Sequence, residues 1–407
     1  QGIAIMAVAT WNTSTNPTDL ARKSFAAMIT RLMPNGQAPL FGITSMLKTE
    51  TAYQPEHGYF AKTMIFPSVV LGGAVADGVA TSFTVVDSSM MIPGMVLQSD
   101  TTRENVLVTA VPDATHITVT RAFGTVAGAA IGNGVRLYMV GNAYEEASVR
   151  PLSVIIAPTR VINYTQIFRN TWAVSGTSAA TAVIAGGSID AESRQDCAMF
   201  HAIDIEKALL WGQLFAGTRN GYPIRTMNGL INYVNQNAAG NVTTLGATTN
   251  WTQLEAALDV VFSQVTDPKG PNERTLFVGG IMRRIIHAIC RLNSLYEVND
   301  QSTEWGLQYD IIKLPRGKFN IVEHPLLNAF GSSASWSKMA LAVDLPTFGT
   351  AYMTGRKTQS RDFNINGTVV DNGIDAVGGT LTTEMTCLVK NVAANAVLLN
   401  ATAAAAG

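Results

Sequence analysis

Ionic side chains are scarce in this chain: 14% of its 407 residues are charged while 47% are hydrophobic, against a usual charged share of about 25%. A lone globule of this length needs charge over its surface to stay dispersed, so the shortage implies that other chains cover much of that surface. Membrane burial is the rival explanation. The longest apolar runs, at 2–9, 90–96 and 396–399, all fall far short of the ~20 residues a spanning helix requires.

Other absences narrow the function. No Lys or Arg precedes the opening apolar stretch, and Trp11, Asn12 and Thr13 follow it directly, which is not the pattern of a secretory signal. Position 1 is Gln, before which an initiator Met is not ordinarily trimmed, so either proteolytic processing or an incomplete chain is expected. The three cysteines, Cys197, Cys290 and Cys387, are odd in number and widely spaced. That suits buried thiols from a reducing compartment better than a disulfide framework.

Signatures of chemistry are missing too. His57, His116, His201, His287 and His324 are scattered without the paired spacing of a zinc hydrolase. Gly132-Asn133-Gly134 lacks the third glycine of a dinucleotide fingerprint and reads as a hairpin turn. No Gly-x-Ser-x-Gly occurs, and Ser175-Gly176-Thr177 has no placed His and acid beside it. The expectation is a chain that is no enzyme and uses no cofactor or metal. A net charge of −1 also lacks the cationic excess that counterion release needs for tight DNA binding. A wall that faces DNA without gripping it has this balance.

What is present has a clear order. Residues 1–47 mix Thr, Asn and Pro with one amphipathic stretch, in which Leu20, Phe25, Met28, Ile29 and Leu32 recur near helical spacing before Pro34, Gly36 and Pro39 stop it. This predicts an arm carrying a short helix. Residues 51–66 hold Tyr53, Tyr59, Phe60 and Phe66 around Pro55 and Gly58, as a long ribbon would, with a matching segment at 148–173. Between them, β-type runs at 82–86, 105–111, 116–120 and 135–140 alternate with turn signals at Pro93-Gly94, Gly124 and Asn133-Gly134. That change of character predicts a small β domain inserted at 72–141. Glu145-Glu146 are expected on a strand, pointing to opposite faces, as a solvated edge or an intersubunit salt bridge rather than a metal site.

From 188 to 215 the chain has no Pro, and its first Gly is Gly212, which predicts one long helix. Asp190 and Glu192 favour its N-terminal dipole, Asp190 is placed to pair with Arg194, and Phe200, Ile203, Leu210 and Leu214 give an apolar face. Thr252 to Glu255 has capping-box spacing at the head of a second helix that Pro268 and Gly270 break. Residues 275–278 read as a buried strand and 281–292 as a helix whose Arg283, Arg284 and Arg291 form a solvated or subunit-facing side. A Pro-Arg-Gly turn sits between strands in 313–322, and the Ala-rich end at 401–407 is expected to be disordered.

Three stretches carry a resemblance: VINYTQIFRNTWAVSGT at 161–177, EKALLWGQ at 206–213 and RTMNGLINYV at 225–234. With PLFGITSMLK at 39–48 and RTLFVGGIMRRII at 274–286 in the same order, the chain resembles the tailed-bacteriophage major capsid proteins of the Hong Kong 97 type. Each piece is weakly specific, but their order is not. The resemblance implies an α+β fold with an N-arm at 1–47, an E-loop at 48–71 and 142–168 interrupted by the all-β insert, and a P-domain at 169–224 and 336–400 with its spine helix near 188–215. It places the A-domain at 225–335.

It further implies self-assembly through hexamers and pentamers into an icosahedral head around double-stranded DNA, built in the bacterial cytoplasm. Decoration, portal and scaffolding proteins are the further partners, and no membrane is involved. Tyr53, Tyr59, Phe60, Glu145, Glu146 and Arg150 are the expected assembly contacts. Competing readings are a tail-tube or decoration protein, against which the long helix and α/β unit count, and an enzyme with a site assembled from distant residues.

Overall fold

The computed structural model describes residues 49–62, 66–151, 153, 157–181, 188–263, 272–292, 302–304, 307–328, 335–363 and 375–405. The expected arm and its helix lie outside them. The chain divides into two compact units, of which one is Phe60–Val161.

That unit is a six-stranded antiparallel sheet in the order Ser68–Val70, Arg136–Asn142, Met95–Ser99, Asn105–Asp113, His116–Thr120, Ser82–Thr84. Alternation along the strands decides which side is core. Val106 and Val108, Ile117 and Val119, and Val69 and Leu71 point inward, around Phe83, Leu97, Ile131 and Leu137. The three turn signals all hold a glycine at positive φ: Gly94 at 91°, Gly124 at 149° and Gly134 at 78°. Gly94 is needed for space as well, because a Cβ there would lie 2.3 Å from the Tyr144 ring. The strand Met95–Ser99 was not separable from the apolar run before it, since Met95, Val96 and Leu97 are all buried.

The other unit has two main sheets. In the first, Ala376–Val389 is the long central strand. It pairs antiparallel with Gln166–Ser175, Gln359–Phe363 and Phe348–Met353, and Glu50–Ala52 adds parallel to the last. The second is seven-stranded, ordered Val242–Thr244, Ala396–Leu399, Ala340–Val343, Glu273–Val278, Gly317–Glu323, Leu307–Leu314, Ser302–Glu304. Its core joins Leu276, Val278, Phe319 and Ile321 to helix Trp251–Asp259 through Leu254 and Leu258, and to helix Gly280–Leu292 through Met282, Ile285, Ile286 and Ile289. Two strands of the closing segment, Ala340–Val343 and Ala396–Leu399, enter this sheet rather than the one beside the long helix. Ala340–Val343 is buried along its whole length, and such runs carry no facing signal that names their sheet.

The long helix spans Ile189–Trp211, with Ser188 Oγ accepting from Ala191 N at 3.1 Å. It stops short of 215 because Gly212 lies under a backbone crossing. A Cβ there would fall 2.5 Å from the Ala208 carbonyl oxygen and 2.6 Å from that of Met227. Its buried face is Cys197, His201, Ile205, Glu206, Leu209 and Leu210, while Phe200 is exposed. Of the expected apolar face, Leu210 is fully buried and Ile203 and Leu214 partly so, while half-polar residues fill much of the inward stripe.

Arg194 reaches Asp362 and lies over the Trp172 ring at 5.2 Å instead of pairing with Asp190. The second helix is boxed by Asn250 and Gln253, two residues earlier than the expected cap at Thr252. The expected disordered end is held as far as Ala405: Ala401 is fully buried, and Thr249 N and Ala405 N exchange bonds with Ala403 O and Thr249 O at 2.8 Å each. Small side chains let this stretch lie flat against the Thr249 segment.

Candidate assembly surfaces

Glu56–Ala61 and Thr159–Tyr164 form a two-stranded ribbon, and pleating divides its aromatics. Tyr59 turns into its own chain, where it packs on Ala52, Ala351 and Leu388 and its hydroxyl donates to the Val389 carbonyl. Burial pushes that phenol up to about 12. Phe60, next in sequence, is 71% exposed, and Tyr53 is 79% exposed in the break before the ribbon. Two of the three expected aromatic contacts are thus on the surface, and the third is occupied internally.

Glu145, Glu146 and Arg150 are all exposed. The two glutamates do not sit on a strand, which ends at Asn142. They lie in a turn closed by Ser148 N donating to Glu145 O at 3.2 Å, with Ala147 at a φ of 62°. Alternation across a pleat therefore does not separate the carboxylates. Tyr144 and Val149 flank them, 39% and 88% exposed.

A third surface escaped the sequence reading. Phe215–Arg219 and Tyr222–Thr226 form a hairpin that joins no other sheet among the described residues. Its tip is Asn220-Gly221, both at positive φ, the strongest short-range hairpin signal. Phe215, Tyr222 and Ile224 on it are 56%, 76% and 36% exposed. Of the arginines on helix Gly280–Leu292, Arg283 is tied to Asp310 at 2.8 Å and Glu323 at 3.0 Å. Arg284 and Arg291 are exposed.

A set of buried polar contacts seats the long helix. His324 Nδ1 accepts from Leu326 N at 3.2 Å, so its Nε2 carries the proton that meets Glu206 Oε1 at 2.7 Å. Both side chains are fully buried. Nearer the helix start, Asn170 donates to Asp204 at 2.9 Å and accepts from His201 Nδ1 at 2.6 Å, which leaves His201 Nε2 to accept from Thr383 at 2.7 Å. Burial lowers the His201 pKa against the opposing pull of Asp204. Below the helix end, Asn163 donates to the Cys387 carbonyl at 2.8 Å and accepts from Asn228 N at 2.7 Å. The Cys387 thiol donates to the Asn228 carbonyl, and burial raises its pKa to about 12. These histidines are spoken for structurally, and among the described residues no group of three or more His, Cys, Asp or Glu is placed to hold a metal ion.

A family model described as SU10 major capsid protein matches residues 9–402. A major capsid protein of Pseudomonas phage PaMx41 is 37% identical over 387 residues, spanning 92% of this chain and 91% of that protein. Among solved structures, the capsid of a native GTA particle is similar with a TM-score of 0.49 at 8% identity, covering 97% of this chain and 99% of that one. A Mycobacterium phage Ogopogo chain gives 0.47 at 13% identity, covering 97% and 100%.

Proposed function

The chain belongs to the SU10 major capsid protein family, and on that premise we propose that copies of it close into an icosahedral phage head around double-stranded DNA. The observation that carries this reading is identity at 37% to a major capsid protein, running through 92% of the chain. The physical character agrees. A surface poor in charge, with Tyr53, Phe60, Phe66 and Tyr222 more than two-thirds exposed, is stable only when neighbouring copies cover it. Hexamers and pentamers are the assembly units, and the cytoplasm of the bacterial host is where they form.

Within that reading the arm is 1–47, and the overlapping E-loop is the expected 48–71 and 142–168 with its two-stranded ribbon, less 68–71 and Asn142, which lie in the insert's sheet and core and move the insert's expected bounds of 72–141 outward. The long helix is the P-domain spine, and 225–335 supplies most of the A-domain. Tyr53, Phe60, Glu145, Glu146 and Arg150 are contacts between copies, while Tyr59 fixes the base of the ribbon to its own subunit. The DNA is enclosed without sequence-specific contact, and decoration, portal and scaffolding proteins attach to the shell. The chain has no catalytic role.

Sedimentation and negative-stain electron microscopy of the purified protein test this. Closed particles or capsomers of many copies are expected; a protein that stays a single dispersed molecule at high concentration overturns the proposal.

A further inference from the structure

A two-stranded hairpin is marginal in water unless something covers a face of it, and Phe215–Thr226 has nothing over most of its surface. Its register sets Phe215 opposite Thr226, Gly217 opposite Ile224, and Arg219 opposite Tyr222. Phe215, Ile224, Tyr222 and Arg219 therefore share one face. The Phe215 ring folds over Gly217, where a Cβ would come within 2.6 Å of it, so the glycine keeps that face flat. Arg225 projects from the other face, and neither Arg219 nor Arg225 has an acidic partner among the described residues. Aromatic side chains beside arginine on an uncovered surface have the composition of an interface hot spot.

The same chain carries the complement. The turn at 144–149 offers two adjacent carboxylates, Glu145 and Glu146, with no cationic partner among the described residues, between Tyr144 and Val149. Even with Arg150 beyond it, the turn keeps a net negative charge. A second basic surface competes for it. Arg169 and Arg361 stand on either side of the central strand, at the positions facing Thr382 and Thr380. That surface is mostly hydroxyl-bearing and, among the described residues, offers one exposed large apolar side chain, Ile167, beside Arg169, whereas the hairpin sets Phe215, Tyr222 and Ile224 beside Arg219 and so matches the charge and the apolar character of the turn better.

We infer that the hairpin at 215–226 of one copy receives the Glu145-Glu146 turn of a second copy. The carboxylates meet Arg219, which shares the apolar face, and Val149 packs against Phe215, Tyr222 and Ile224. The inference rests on the self-assembly reading and specifies which surfaces meet.

Charge exchange tests it, with wild-type particles as the control. Glu145→Arg with Glu146→Arg, and separately Arg219→Glu, are each expected to cut particle yield by at least about tenfold, since like charges then face each other. All three substitutions together are expected to restore yield. The inference is overturned if either reversed variant assembles like wild type, or if the combined variant stays dispersed while wild type forms particles. Wild type that forms no particles strikes instead at self-assembly itself. A second readout needs no charge change. Oxidised Glu146→Cys, Arg219→Cys particles should give covalent multimers on a non-reducing gel beyond those of the wild-type cysteines, and only monomers from intact particles count against the contact.

Discussion

Arg121 and Glu104 meet inside the inserted unit through two bonds of 2.7 Å, with both side chains withdrawn from solvent. Burial alone would raise the Glu104 pKa, yet the guanidinium and the amides of Ala122 and Ala129 hold it below the ordinary value. Arg121→Met removes the counter-charge and leaves a buried carboxylate, which should cost about 3–5 kcal/mol. Urea denaturation followed by the fluorescence or circular dichroism of this unit measures the loss. His201 makes a second prediction at this scale. Its native pKa is lowered, so below the unfolded value of about 6.5 the unfolded chain binds more protons and stability falls as pH drops. His201→Gln, which keeps a donor and an acceptor toward Asn170 and Thr383, should flatten that dependence between roughly pH 6.5 and 5. Neither role was legible in the sequence, because scattered histidines and a lone Glu-Arg pair 17 residues apart look alike whether buried or solvated.

Elements were easier to read than their packing. An uninterrupted run without Pro or Gly announces the long helix, and alternation announces the insert's strands, because both signals are local. Which stripe of the helix turns inward is a tertiary matter. Here the stripe includes His201 and Glu206, whose partners Asn170, Thr383 and His324 lie 31, 182 and 118 residues away. The helix end depends likewise on a distant backbone. Gly212 accepts the Gly229 amide at 2.9 Å, and a Cβ on Gly229 would lie 2.6 Å from Gly212 N. Gly212→Ala should therefore destabilise the unit by about 1–3 kcal/mol, the usual cost of overfilling a packed site. Chemical denaturation would report it, and an unchanged midpoint would show that the crossing relaxes freely. The hairpin after this crossing was missed although Asn220-Gly221 advertised it, because its flanks lack strong β-formers at several positions.

Across the whole molecule, the order of parts was legible while the pairing of distant strands was not. Glu50–Ala52 lies against Phe348–Met353, and Val242–Thr244 against Ala396–Leu399, pairings for which a single sequence carries no local signal. The insert is different, because among the described residues its strands pair with one another alone and its core is closed within Phe60–Val161. Chain enters and leaves it through one ribbon, Glu56–Ala61 with Thr159–Tyr164. A unit with its own core and a single paired stem folds without its host. Residues 66–142 expressed alone should therefore unfold cooperatively, and replacing them with a short Gly-Ser linker should leave the host unit's thermal transition in place. Calorimetry of both pieces checks the two halves together. A host that loses its transition on removal of the insert would mean that the two cores are energetically one, whatever the strand pairing suggests. If both transitions persist, the effect of the deletion on particle yield measures what the insert adds between copies rather than within one.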